Sequence, residues 1–375
     1  MSKHSMLWQR IMLPATQHTT RRKKARYVLP IIVSLLMIAL AACGGSDTST
    51  TATATPAVPR VNGFGTAANH PHTLLVLPNK VLLLATHYGL FRSEDNGSSW
   101  KEVAGGSGQM MEGMMTYSLT SSSLDHQRLY VLTQQVAPTP KGTLGLYSSS
   151  DQGRSWKLAS ATSELGNMFM VAAGNDTPDE VYIYLNDLGA LGLKVSMDGG
   201  QHFTTTGKLP FSSFTQLLAI PGAPGHLLVG SSDGLARSTD GGAHWEIIKE
   251  ITGAILSLTT PGPRGTIYAS GDAGIYVSHD GGKSFALVYN KSSLGEIVVA
   301  PEQPQTLYAK TGTAIYHSAD GGRTWSTIPR VKGSMYSLAA DPTNASQVYL
   351  SLSYPTEVYR FNQSSQGWTS LTPKP

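Results

Sequence analysis

Ser278-His-Asp-Gly-Gly-Lys-Ser-Phe285 is followed 40 residues later by Ser318-Ala-Asp-Gly-Gly-Arg-Thr-Trp325, with Ser first, Asp third, Gly fifth and an aromatic ring eighth in both. Four earlier stretches repeat the phrase: Ser93-Glu-Asp-Asn-Gly-Ser-Ser-Trp100, Ser149-Ser-Asp-Gln-Gly-Arg-Ser-Trp156, Ser196-Met-Asp-Gly-Gly-Gln-His-Phe203 and Ser238-Thr-Asp-Gly-Gly-Ala-His-Trp245. Their aspartates, Asp95, Asp151, Asp198, Asp240, Asp280 and Asp320, are 56, 47, 42, 40 and 40 residues apart. A degenerate seventh copy runs from Tyr359 to Trp368, keeping Gly367 and Trp368 but lacking the Asp. Self-similarity at a period near 40 residues is the signature of a stacked repeat.

Each unit reads as four short strands around turns. Glu296-Ile-Val-Val-Ala300, a Pro turn, Thr306-Leu-Tyr-Ala-Lys310, a Gly turn and Ala314-Ile-Tyr-His-Ser318 lead into the phrase and a last strand. Four such strands cannot bury both faces of their sheet alone, whereas seven sheets around an axis can. The expected fold is therefore all-β: a seven-bladed β-propeller over residues 61–375, with the start near 61–72 meeting the last strand near Gly367 to Leu371. Within the phrase, the carboxylate is expected to accept bonds from turn amides, the Gly to take a left-handed conformation and the Trp or Phe to pack beneath the hairpin. The expected structural set is Asp95 with Trp100, Asp151 with Trp156, Asp198 with Phe203, Asp240 with Trp245, Asp280 with Phe285, Asp320 with Trp325, and Trp368. Six copies of one aspartate in one turn argue for capping rather than catalysis.

The phrase resembles the Asp-box (BNR) repeat of sialidases, xyloglucan-cleaving glycoside hydrolases, the sortilin ectodomain and the photosystem II assembly-factor type of propeller. The resemblance implies that the boxes face away from the functional mouth. It names a fold and leaves the activity open.

The first sixty residues carry a different signal. Basic residues up to Arg26 precede an apolar run from Tyr27 to Ala42, short for a membrane span and right for the core of a signal peptide. The run ends in Leu40-Ala41-Ala42-Cys43, which resembles the lipobox of bacterial lipoproteins. Cys43 is the chain's single cysteine, and residues 44–59 are Gly, Ser, Thr, Ala and Pro with one Asp and one Val, unable to build a core around it. The expected organisation is a signal peptide at 1–42, a lipidated Cys43 with a linker to residue 60, and the propeller. That places the chain outside the cytoplasm, anchored to a bacterial membrane by acyl chains on Cys43.

The net charge of +4 suggests an anionic partner only until its location is considered. Seven of the 28 basic residues lie in 1–42 with no acid among them, leaving 21 bases against 24 acids, a net −3. Nucleic acid is thereby excluded as an expected partner.

Two function classes remain. One is a non-catalytic binding or assembly scaffold with a protein or glycan ligand at the propeller mouth. The other is a glycoside hydrolase of sialidase-like type. A sialidase needs three converging arginines, a Tyr–Glu nucleophile and an acid; here Arg60 lacks its usual sequence context, and Arg92 and Arg237 directly precede a box Ser. A glucan-cleaving enzyme needs paired carboxylates and aromatic platforms, but Trp100, Trp156, Trp245, Trp325 and Trp368 are all taken by the phrase. Tyr88, Tyr117, Tyr289, Tyr336 and Tyr354 are the tyrosines left for a mouth, with Glu112, Glu164, Asp187, Asp233, Asp272 and Glu296 as scattered acids near it.

The first blade departs from the plain repeat. His70-Pro-His72 enters its first strand and His87 lies in its next turn, so one mouth can hold all three. Met111 and Met115 follow in Gln109-Met-Met-Glu-Gly-Met-Met115. Imidazole with thioether suits copper or another soft metal, while gap-filling methionines and ordinary hydrogen-bonded histidines account for the same residues without one.

Overall fold

The computed structural model describes Phe64 and residues 68–373 apart from 139, 264, 292 and 293. These belong to one compact unit, Val58–Pro375. The signal segment, Cys43 and the linker to residue 60 lie outside the described residues.

The described residues form seven four-stranded antiparallel sheets, each built from four strands consecutive in the chain. The second strand of each blade is buried on both faces, and its sequence is correspondingly almost unbroken apolar, as in Leu82–Thr86 and Val181–Leu185. The fourth strands are short and exposed, reduced to Thr204–Thr205, Glu246–Ile247 and Ser326–Thr327 in three blades. A two-residue outer edge offers little template for pairing with another chain.

The seven first strands line the axis: Pro71–Val76, Met114–Ser121, Met168–Ala173, Gln216–Ala219, Ile255–Thr259, Glu296–Ala300 and Ser334–Ala340. Each neighbours the next, and the last returns to the first, so the ring closes. Side chains stitch these strands together. Thr73 Oγ1 donates to Tyr117 O at 2.6 Å, and Gln216 exchanges two bonds with the Leu258 backbone at 2.8 and 3.0 Å.

A second seam lies farther out. Tyrosines in the second strands reach across to the following blade: Tyr268 donates to Pro304 O at 2.8 Å, Tyr308 to Ala345 O at 2.9 Å, and Tyr349 of the seventh blade to Asn96 of the first. Closure is completed by Trp100 Nε1, which donates to Leu371 O at 2.9 Å, and by Phe64, which packs with Phe91, Trp100 and Leu371. Phe64 and the first blade meet the final strand there, as the repeat count requires.

The phrase occupies the hairpin between third and fourth strands in six blades. Ser Oγ donates to the first carboxylate oxygen at 2.7–2.8 Å and accepts the fifth-position Gly N–H at 2.8–2.9 Å. The seventh-position amide donates to the same carboxylate oxygen at 2.8–3.0 Å. Gly282, at φ +79°, shows why the fifth position is glycine. The aromatic eighth residue wedges against the preceding blade: Trp156 packs with Leu83, Phe285 with Leu228, Trp325 with Ile275. It therefore fills a seam between blades and does not merely lie under its own turn. The seventh hairpin, between Glu357–Asn362 and Gly367–Ser370, lacks the Ser–Asp cradle; Asn362 Oδ1 caps the turn by accepting from Ser364 N at 2.9 Å.

Candidate functional site

Antiparallel strands alternate the faces on which their connections emerge. The turns between first and second strands share one face with the phrase hairpins. The turns between second and third strands, and the crossings between blades, share the other. This second face is the mouth, and it carries the residues outside the repeat.

His70 stands just before the inner strand of blade 1, His72 is that strand's second residue, and His87 lies in the turn after Leu82–Thr86. The two segments are locked by His87 N donating to His70 O at 2.9 Å and Tyr88 N donating to Asn69 Oδ1 at 3.0 Å. The pairing of the first two strands shifts register between Pro71 and Thr73, so His72 is the extra residue of a bulge, a device that re-aims a side chain. The ring of His70 lies 4.7 Å from both His72 and His87, edge-on to the first and stacked on the second. One nitrogen from each of the three rings lies within 4.8 Å of the others, and among the described residues this is the one group of three or more His, Cys, Asp or Glu so gathered.

Burial withdraws all three imidazoles from water and lowers their basicity. His72 is brought down to about 3 by desolvation and then by its two imidazole neighbours. His70 is lowered by desolvation and by His87, and His87 by desolvation. At neutral pH the cluster is uncharged. Each ring also holds one buried nitrogen without a hydrogen-bond partner among the described residues: Nδ1 of His70, Nε2 of His72 and Nδ1 of His87.

Tyrosines of blades 1 and 7 border the cluster. Tyr354 lies 5.0 Å from His70, Tyr336 meets His72 edge-on at 6.3 Å, and Tyr88 meets His87 edge-on at 4.7 Å. Tyr117 belongs instead to the channel wall, with its hydroxyl bound to Met168 O. Tyr289 ends the outer strand of blade 5, Ala286–Tyr289, at the rim and edge-on to Trp325.

Met111 is 1 % exposed and packs in the core shared by blades 1 and 2, together with Leu77, Ala85 and Met114. Its thioether fills space there. Met115 is the half-buried second residue of the inner strand of blade 2.

The mouth-side acids are engaged one at a time. Glu112 pairs with Lys141 at 2.9 Å, Asp187 accepts from Asn167 at 3.3 Å, and Asp272 accepts from Ala254 N at 3.2 Å. Glu164 and Asp233 are exposed. Glu296, first residue of the inner strand of blade 6, accepts from Leu338 N at 3.1 Å and lies 3.4 Å from Lys310. Desolvation pushes its carboxyl up against the pull of that ammonium, and no second carboxylate contributes to the shift. Of the arginines weighed for a substrate carboxylate, Arg92 is buried against Glu94 and donates to Gln152 O at 2.8 Å, and Arg237 lies 3.3 Å from His226 Nδ1; Arg60 lies outside the described residues.

Sequence reasoning missed the seventh position of the phrase. Ser99, Ser155, Ser284 and Thr324 each donate a hydroxyl to the second carboxylate oxygen at 2.5–2.7 Å, and Nδ1 of His202 and His244 stands 2.6 Å from it. The signal was present: that position is Ser, His or Thr in all six copies.

The sequence matches no family model and no curated protein. Among solved structures, the chain is similar in fold to the GH74 xyloglucanase of Xanthomonas campestris, with TM-score 0.61 and 16% identity over 82% of this chain and 55% of that one. It therefore spans about half the xyloglucanase's length. YCF48 from Cyanidioschyzon merolae is similar with TM-score 0.55 and 14% identity, over 79% of this chain and 96% of that one. YCF48 bound to D1 peptide is similar with TM-score 0.56 and 15% identity, over 83% and 96%. At these identities the likeness is one of fold.

Proposed function

We propose that this chain is a binding propeller, held at an extracytoplasmic membrane surface through lipidated Cys43, whose mouth receives a polypeptide segment and carries out no hydrolysis. In this reading the repeated phrase is an Asp-box. The supporting observation is that the mouth exposes large apolar side chains while Glu112, Asp187, Asp272 and Glu296 each hold a separate partner. Phe169 is 50 % exposed on the inner strand of blade 3, Leu191 52 % exposed in the one-turn insertion Asn186–Leu191, and Tyr354 61 % exposed on blade 7. Exposed apolar groups rimmed by polar ones mark protein-binding surfaces. YCF48, a propeller of similar fold, has been solved with a bound D1 peptide, so the architecture accommodates such a ligand.

Glu296 favours a second reading, hydrolysis, because an acid whose carboxyl is pushed up is suited to protonate a leaving group. Such chemistry needs a partner carboxylate roughly 5–10 Å away, whereas the hydrogen-bond and ion-pair partners of Glu296 among the described residues are Lys310 and the Leu338 amide.

An array of unstructured and extracellular peptides probed with the purified chain separates the two. Binding should weaken at least tenfold, about 1.4 kcal/mol, in Leu191→Asp and Phe169→Asp. Release of sugar from xyloglucan or sialosides that disappears in Glu296→Gln would replace binding with hydrolysis, and peptide binding indifferent to both mouth variants would reject the mouth as the site.

A further inference from the structure

We propose that His70, His72 and His87 form a three-imidazole site for a divalent ion of the zinc or copper class, on the blade 1 side of the mouth. The inference stands on the cluster itself and does not depend on what else the mouth binds. Three features carry it. The rings come from two segments fixed to each other by the His87 N to His70 O bond and the Tyr88 N to Asn69 bond, so their approach is set by backbone rather than by loose side chains. One nitrogen of each ring already lies within 4.8 Å of the others. Each ring also keeps a buried nitrogen with no hydrogen-bond partner among the described residues, a condition that ordinarily costs about 1–3 kcal/mol per group.

The remaining distance is small. At a metal–nitrogen bond of about 2.0–2.1 Å, the nitrogens of a tetrahedral site stand about 3.3 Å apart. Closing a 4.8 Å triangle to that size requires at most about 1.5 Å along an edge. Rotation of an imidazole about its broad second torsion supplies such a movement without moving the backbone.

The donors select the ion. Neutral imidazole suits zinc and copper(II), with copper(II) the tighter by the usual order of divalent ions. Met111 packs in the core shared by blades 1 and 2, which leaves imidazole as the donor type that defines the cluster. Other histidines of the propeller are differently engaged: His202 and His244 face box carboxylates, and His226 faces Arg237. Three protein donors leave a fourth tetrahedral position for water or for a ligand's own donor.

The test is calorimetric titration of the chelator-treated full chain with zinc chloride and copper sulfate, with circular dichroism as the check on folding. One equivalent should bind with micromolar or tighter Kd. His72→Ala should weaken it at least a hundredfold, and His202→Ala with His244→Ala should leave it unchanged. Copper electron paramagnetic resonance should show coupling to imidazole nitrogen that His72→Ala removes. If His72→Ala fails to fold, His87→Gln, in the turn, is expected to give the same loss. No uptake, or uptake that survives replacement of all three residues, overturns the proposal.

Discussion

Replacing Trp156 by Ala separates the two jobs within the hairpin phrase. Trp156 is 7 % exposed and packs with Leu83 of the preceding blade and Leu129 of its own. Burying a Trp removes roughly 150–250 Å² from water, worth about 4–6 kcal/mol at about 25 cal/mol per Å². That figure is an upper bound because unfolded chains hide part of the same surface, and buried Trp→Ala changes cost about 3–5 kcal/mol. The expected loss is about 4 kcal/mol. With an unfolding entropy of about 2.1 cal/mol/K per residue over roughly 300 residues, Tm should fall by about 6 °C. Asp151→Ala in the same hairpin removes bonds from Ser149, Ser155 N and Ser155 Oγ at an exposed rim. Loss of such a cap costs about 1 kcal/mol, or about 2 °C. Urea and thermal unfolding of both variants provide the comparison. A Trp156→Ala loss under about 1 kcal/mol, or an Asp151→Ala loss equal to it, would refute the assignment of the aromatic to the seam and the carboxylate to the turn.

Acid should loosen the hairpins in a defined window. Asp280 and Asp320 are held at about 2 by their seventh-position donors and backbone amides, which outweigh a desolvation that alone would raise them; Asp240 is held at about 2 by the His244 amide and then its ring. Because the folded values lie below the unfolded one, the stabilisation is present above about pH 4 and is lost as pH falls toward 2. Tm measured from pH 5 to 2 should drop across that interval, and Asp280→Asn should show a shallower drop. Glu180→Ala should cost about 2–4 kcal/mol, because its buried carboxylate accepts from Asn175 N, Asp176 N and Tyr182 OH at 2.7 Å each; denaturant midpoints check this. Gly153→Ala should destabilise by about 1–3 kcal/mol, since φ is +78° and a Cβ would stand 2.5 Å from Leu83 Cδ2. A midpoint unchanged from wild type would count against that packing.

The blades were legible because the phrase is a local device. The Ser, Asp and Gly that cap one turn sit within eight residues, and their spacing survives however the sheets are arranged. The seam function of Trp156 was not legible, since its partner Leu83 is 73 residues away and apolar residues in second strands look alike. The histidines were readable as a set: His70 and His72 share a segment, and His87 follows within one strand and turn. Tyr336 and Tyr354 could be marked as free of the repeat, but their meeting with blade 1 depends on ring closure between the first and seventh blades. The burial of Met111 was not legible, because its neighbourhood in sequence is a mouth-side loop, whereas a backbone with φ +60° accompanies its place in the core. The exposure of Phe169 and Leu191 was not legible, because apolar residues in strands and turns read alike in sequence whether covered or not.

Hydrogen–deuterium exchange of the full chain, with and without a peptide taken from the array, reads most directly which face binds. Slowed exchange at 70–72, 87–89, 186–192 and 353–356, with the hairpins at 93–100, 238–245 and 278–285 unchanged, is the predicted result. Protection concentrated in the hairpins, or no protected segment at the mouth at saturating peptide, would contradict a binding mouth carried on a structural Asp-box ring.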